Sequence, residues 1–232
     1  MQAELIDVMG DDLRVVNAAR VSFDKESEWE IPQVWCEEGD GYIDGAEQLS
    51  EKDVKLLSYL AKHNHWTPFS HVMITMRETV PIFVARQRFK PMVGFTYNEV
   101  SRRYVSDEPS FYVPDSWRKA AENKKQGSSD EAIEFTANAN YIYQVLCEHS
   151  LGVYKELLDD GVAPEQARMV LPQSMYTSYY TTGSLAAWAR AYKLRSDEHS
   201  QKEIRDLADQ WNDIIRGIPE LKYSWSALVD GQ

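Results

Sequence analysis

The sequence predicts an α+β fold with more helix than strand, organised as one domain over residues 1–232. Three observations carry this. Short β-prone runs recur near residues 3–9, 72–80, 98–104 and 175–182. Longer stretches place apolar residues three and four apart, the helical spacing, most extensively over Asp130 to Leu158. No internal repeat is present. At 43% hydrophobic and 12% aromatic residues, the chain has ample material for a core.

Ala3 to Met9 alternates loosely and reads as a first strand, stopped by Gly10-Asp11-Asp12. Leu13 to Val21 reads as a short helix with Leu13, Val16, Ala19 and Arg20 on one side. Residues 24–47 are charged, glycine-bearing and aperiodic, the pattern of a long surface loop. Ser50 opens a clear helix, with Asp53 placed to support its first turn. The stripe of that helix is Val54, Leu57, Leu60 and Ala61, and it ends at His63-Asn64-His65. Val72 to Val80 alternates as a strand. Pro81 suits the first turn of the next helix, which carries Arg86, Gln87 and Lys90 and stops at Pro91.

Asn98 to Tyr104 reads as extended, which sets Glu99, Ser101 and Arg103 on one face. Residues 105–129 are turn-rich, ending in the polar run NKKQGSSD. The long helix closes at Asp159-Asp160-Gly161 in the manner of a glycine cap. Pro164 opens a further helix that ends at Pro172, and Met175 to Thr182 is β-prone. Gly183-Ser184 then caps a helix to about Leu194 with Leu185, Trp188, Tyr192 and Arg195 on one face. A last helix, Ser200 to Arg216, opens on a Ser200…Glu203 capping box.

Charge singles out one stretch. The chain carries a formal −12, yet Arg86, Arg88, Lys90, Arg102 and Arg103 face only Glu99 between residues 86 and 103, a local +4. Arg86 and Lys90 stand four apart in the expected helix, where like charges repel unless an anion lies between them. The overall acidity excludes a general nucleic-acid or acidic-membrane footprint but accommodates a small phosphorylated ligand in a local basic pocket. Cys36 and Cys147 form no disulfide framework, and the opening MQAELIDVMGDD has no signal-peptide pattern, which together point to a reducing cytoplasmic setting. No apolar run is long enough for a transmembrane helix.

Six segments in order resemble the flavin-dependent thymidylate synthases: AARVSF from Ala18, HWTPFSH from His65, PIFVARQ from Pro81, NEVSRRY from Asn98, ARMVLP from Ala167 and LRSDEH from Leu194. The resemblance implies a central, mostly antiparallel sheet packed by helices, with FAD as cofactor and NADPH and 5,10-methylenetetrahydrofolate as cosubstrates. It also implies a homotetramer. For the nucleotide, deoxyuridine monophosphate, it points to Gln87, Lys90, Glu99, Val100, Ser101, Arg102, Arg103, Arg168 and Arg195. Arg195 is the residue implied to stabilise negative charge on the pyrimidine. For the flavin it points to Ser22, His65, Thr67, Lys90, Glu99, Ser184 and Arg190, the last two at positions where the family often carries Asn.

The chain departs from the family at its Arg-His-Arg triplet, which falls here on Lys90-Pro91-Met92, with about one extra residue before Asn98. Lysine keeps a point charge but not the bidentate fork of arginine. Arg88 is the candidate replacement cation. Two other readings stand beside this one. A flavin- or nucleotide-binding relative without turnover is motivated by the altered triplet. A metal-dependent hydrolase would use His63, His65 and His71, which have neither a cysteine nor a close carboxylate to complete a site. That histidine spacing arises readily by chance, and no bound metal is expected. Neither cysteine stands in the local motif of the thiol-using thymidylate synthases, so thymidylate synthesis here would proceed without a thiol adduct.

Overall fold

The computed structural model describes residues 1–36, 41–105, 107–120, 129 and 131–231. At its centre is a four-stranded antiparallel sheet of β1 (Gln2–Met9), β4 (Met73–Pro81), β6 (Tyr176–Ser184) and β5 (Phe95–Glu99), in the order β1-β4-β6-β5. The period-2 pattern of the sequence sets its faces. Ile74, Met76, Glu78 and Val80 point into the core, as do Thr177, Tyr179, Thr181 and Gly183 opposite them. The other face is polar: Thr75 and Thr182 share a 2.9 Å hydroxyl contact, and Arg77 donates to Ser178 Oγ at 3.1 Å.

Helices cover the apolar face. They are α1 (Asp12–Arg20), α2 (Glu51–Lys62), α6 (Leu185–Arg195), α7 (Lys202–Arg216) and α8 (Lys222–Val229). Trp188, Trp211 and Trp225, one from each of the last three, are fully buried. Trp188 Nε1 donates to the Ile74 carbonyl at 3.1 Å, so this buried ring also satisfies its polar atom on the sheet.

Several expected elements take a different form. Residues 24–47 are not loop throughout: β2 (Gln33–Cys36) and β3 (Gly41–Asp44) pair as a hairpin, with the Trp35 and Tyr42 rings 5.2 Å apart across it. Cross-strand aromatic and β-branched pairs outweigh the charged surroundings. In α1 the buried side is Asp12, Val15 and Val16. Pro81 ends β4 and caps α3 (Ile82–Arg88) from extended backbone, because its fixed φ of −68° suits strand as well as helix. Phe89 ends α3, leaving Lys90 outside it, so Arg86 and Lys90 are not one turn apart on a helix.

Extended pairing starts at Phe95 and stops at Glu99, and Ser101 to Tyr104 form a turn closed by a 3.0 Å bond from Tyr104 N to the Ser101 carbonyl. The reason lies in β6, whose lower edge is occupied by the returning chain: Tyr176 N donates to the Ser110 carbonyl and Tyr112 N to the Ser174 carbonyl, both at 2.9 Å. The long helix α4 (Thr136–Asp159) begins later than the pattern predicts, since residues 131–133 pair with 117–119. Its expected first residue and most of the polar tract before it lie outside the described residues. The helix from Pro164 is only α5 (Pro164–Ala167), followed by a 3₁₀ turn over Arg168–Val170.

The expected capping box does not form. Gln201 is the N-cap of α7, Ser200 Oγ donates to the Leu194 carbonyl, and Glu203 accepts from Arg118. The sequence pattern gave no sign of α8, and its cap comes from far away. Buried Asp12 accepts from Tyr223 N and Ser224 N, both at 2.8 Å, satisfying donors that the first turn of a helix leaves open.

Ser50 caps α2 as expected, and Asp53 does more than support the first turn. It accepts from Arg20 Nε at 2.9 Å, Ser27 Oγ at 3.1 Å and Ser50 Oγ at 2.7 Å. Burial pushes this carboxyl up, but the bonds from Ser50, Arg20 and Ser27 together hold it below the usual value. A depressed carboxyl stabilises the fold above its unfolded pKa, and that contribution is lost as pH falls through the folded value. Asp53→Asn should therefore cost about 2 kcal/mol at pH 7. The gap from the parent should narrow towards pH 3. Urea unfolding at both pH values tests this, and an equal gap would remove the charge from the account.

Candidate active site

Three groups of the expected residues can be located. The first lies where α3 and α6 end side by side. Arg195 Nη2 donates to the Gln87 carbonyl at 2.6 Å, and Gln87 Nε2 donates to Gln201 Oε1 at 2.7 Å. Helix α6 places Arg195 there by running Leu185, Trp188 and Tyr192 along the core. Arg195 Nε is buried with no hydrogen-bond partner. Burial, and next the nearby charge of Arg88, lower the pKa of this guanidinium. Both penalties mark a place where an anion would be stabilised. Lys90 stands exposed just beyond.

Arg88 is not a free cation. Its side chain is fully buried and binds Glu78 at 3.1 and 3.2 Å through Nε. It donates to Tyr97 Oη at 2.7 Å and to Thr181 Oγ1 at 3.3 Å. The guanidinium carbon lies 4.4 Å from the Phe95 ring centre, 4.9 Å from Trp188 and 4.6 Å from Trp211. The expectation that Arg88 replaces a lost ligand cation is thus corrected: it belongs to the core beneath the site. The signal was present in Glu78, a carboxylate at an inward position of an apolar strand, which needs a buried partner.

The second group surrounds the turn after β5. Ser101 and Arg103 meet through the turn and not through strand alternation, with Arg103 Nε 3.3 Å from Ser101 Oγ. Arg102 donates to the Asp107 carbonyl. Arg102, Arg103 and Tyr104 line a cavity of about 400 Å³ with Lys155 and Pro164. Arg168, exposed, follows α5 directly. Glu99 accepts from Thr177 Oγ1 at 2.6 Å, and Val100 is 42% exposed.

Of the third group, the residues expected at the flavin, Arg190 lines a cavity of about 470 Å³ together with Asn64, Trp66, Val93, Lys193, three alanines and Leu228. Arg190 donates to the Val93 carbonyl. His65 is exposed and stacks at 6.1 Å on Tyr59, and Thr67 opens the 3₁₀ turn Pro68–His71. Ser22 is exposed in the 3₁₀ turn Val21–Phe23. Ser184 is set apart from these: it is buried, and its hydroxyl caps α6 by accepting from Ala187 N at 3.2 Å. Among the described residues no three His, Cys, Asp or Glu side chains gather as metal ligands, so the structure gives the hydrolase reading no centre. Trp66 and Lys193 were not expected. Lys193 stands three residues after Arg190 on α6, a spacing that places the two on one helical face.

Residues 4–219 match the family model described as "Thymidylate synthase complementing protein". The flavin-dependent thymidylate synthase of Thermosipho africanus is 38% identical over 205 residues, covering 88% of this chain and 81% of that protein. The enzyme of the same name from Thermus thermophilus is 34% identical over 226 residues, covering 97% and 74%. The crystal structure of the UMP/dUMP methylase PolB from Streptomyces cacaoi, bound with 5-Br UMP, superposes with a TM-score of 0.80 at 26% identity. It covers 99% of this chain and 94% of PolB. With most of its length matched by the family model and by relatives above one-third identity, this chain belongs to the flavin-dependent thymidylate synthase family.

Proposed function

We propose that this protein methylates C5 of deoxyuridine monophosphate reductively, using FAD, 5,10-methylenetetrahydrofolate and NADPH. The observation that carries the reading is Arg195, a guanidinium fixed on the Gln87 carbonyl with a buried donor still unpartnered, in a chain of this family. Such a preorganised donor contributes most where negative charge develops, here on the pyrimidine ring. Ser101, Arg102, Arg103 and Arg168 are the residues assigned to the nucleotide on the other side, with Arg102 and Arg103 already lining one cavity. Gln87, Lys90, Glu99 and Val100 complete that set.

For the flavin, the cavity beside α6 offers an indole, small apolar walls and two cations with no carboxylate in its lining, which suits a planar, negatively charged cofactor. His65, Thr67, Ser22, Arg190, Lys90 and Glu99 are assigned to hold it. Ser184 serves through the helix start that it caps. When bound and reduced, the flavin supplies the hydride, and the folate leaves as tetrahydrofolate. Cys147 is buried, 6% exposed, in α4, and neither it nor Cys36 lines the cavities at Arg103 and Arg190, which supports a reaction without a thiol adduct. Cys36 and Cys147 are both free, which agrees with a cytoplasmic location.

The site assigned here is shared between copies in a homotetramer. Two observations support that assembly. Arg102 and Arg103 line a cavity to which Arg195 and Gln87 of the same chain do not contribute. Helix α4 also exposes Tyr141, Ile142, Val145 and Leu146 at 68%, 59%, 47% and 56%, an apolar face that a partner would cover.

Purified protein should be yellow, sediment as a tetramer, and form thymidylate only when folate donor and NADPH are both present. Yellow protein without product would instead indicate the relative lacking turnover. Colourless protein would end the flavin reading.

A further inference from the structure

In a chain with 37 acidic and 25 basic residues, an unpaired cation pair calls for a reason. Arg190 and Lys193 both line the cavity beside α6. Neither has a carboxylate partner among the described residues, and none of the cavity's lining residues is acidic. On one helical face, three residues apart, they repel each other until an anion sits between them.

The adjoining loop explains why the charge is on the helix. Gly94 takes a φ of +84°, and a Cβ there would come within 2.9 Å of Ala187 Cβ, so the backbone is pressed onto the first turn of α6. Ser184 N donates to the Gly94 carbonyl at 3.2 Å. Met92 and Val93 stand out from this loop at 62% and 75% exposure, and Met92 brings an apolar side chain to a position where the family's triplet carries charge. Arg190 ties the loop down by its bond to the Val93 carbonyl, which fixes the guanidinium plane at the cavity wall.

We infer that Arg190 and Lys193 form a phosphate clamp, which holds the pyrophosphate of a flavin dinucleotide in place of the cation lost at Met92. The inference rests on the flavin-dependent reading and assigns the charge-bearing part of that site. The guanidinium offers further N–H donors in a planar fork, and the ammonium a mobile point charge. That combination suits two linked phosphates better than an uncharged ring. The walls of Trp66, Ala186, Ala189 and Leu228 exclude water from one side and strengthen the attraction.

The test compares FAD with riboflavin, which has the same ring and no phosphate. Apo-protein of the parent, Arg190→Gln, Lys193→Gln and the double variant is titrated with each flavin, and quenching of flavin fluorescence gives Kd. Each single substitution should weaken FAD on the order of tenfold, and the double about a hundredfold. Riboflavin should change less than twofold in all variants. Both side chains are exposed, so the variants should keep the parent's thermal unfolding. Parallel loss of FAD and riboflavin would overturn the clamp, since it would mean a general change in the cavity. Unchanged FAD affinity would overturn it equally. If the parent binds neither flavin, the flavin-dependent reading fails first and the clamp with it.

Discussion

Arg88→Met should destabilise the protein by about 3–5 kcal/mol, the largest stability loss expected from one substitution in this chain. The substitution conserves much of the volume, so the loss is not a cavity effect. It leaves the fully buried Glu78 carboxylate with Tyr179 Oη, at 2.6 Å, as its remaining hydrogen-bond donor among the described residues. It also frees Tyr97 Oη and removes a cation from between Phe95, Trp188 and Trp211, whose rings supply further attraction when desolvated. Glu78→Leu should cost a similar amount for the mirror reason, an unpaired buried guanidinium. The double variant Glu78→Leu/Arg88→Met should recover most of the loss, because each apolar side chain removes the charge that the other would strand. Urea unfolding of the four proteins gives the coupling directly. Single losses below about 1 kcal/mol would show that the pair contributes little net stability, as exposed pairs do.

That pair also shows what the sequence made legible and what it did not. Strand alternation over 72–80, the Ser50 cap and the core face of Leu185, Trp188 and Tyr192 were readable because local period and burial agree. The hairpin at 33–44 was masked by charged neighbours, and α8 by having its cap on Asp12, more than 200 residues earlier. The turn at Ser101 was unreadable for a similar reason. Nothing in NEVSRRY announces that residues 110–112 take the edge of β6 that a longer β5 would need. Of the candidate site, the structure brings Arg195 into contact with the Gln87 carbonyl. Local sequence misplaced Arg88, because a basic residue in a basic stretch looks like ligand machinery until its buried carboxylate partner is located.

Arg195→Ala should lower the turnover rate by about 10²–10³-fold, the largest effect on activity expected here, while the flavin content of the purified protein stays near that of the parent. The two readouts separate because Arg195 and the cavity beside α6 lie at different parts of the helix, with Arg195 bonded to Gln87 and the cavity lined by Arg190 and Lys193. In the resting protein Arg195 is held at a cost: its Nε is buried without a partner, and burial and Arg88 both disfavour its charge. On the proposed role, charge developing on the pyrimidine would relieve that cost, and the contribution would be larger in the transition state than in the ground state. The rate constant should therefore fall more than nucleotide affinity. Arg195→Lys should recover only part of the rate, since an ammonium cannot keep one N–H on the Gln87 carbonyl and aim a second, fixed donor at the ring. Single-turnover kinetics with deoxyuridine monophosphate, read beside the flavin absorbance, distinguish the outcomes. Equal loss of flavin and turnover would place Arg195 in the flavin site. An unchanged rate would remove it from the chemistry.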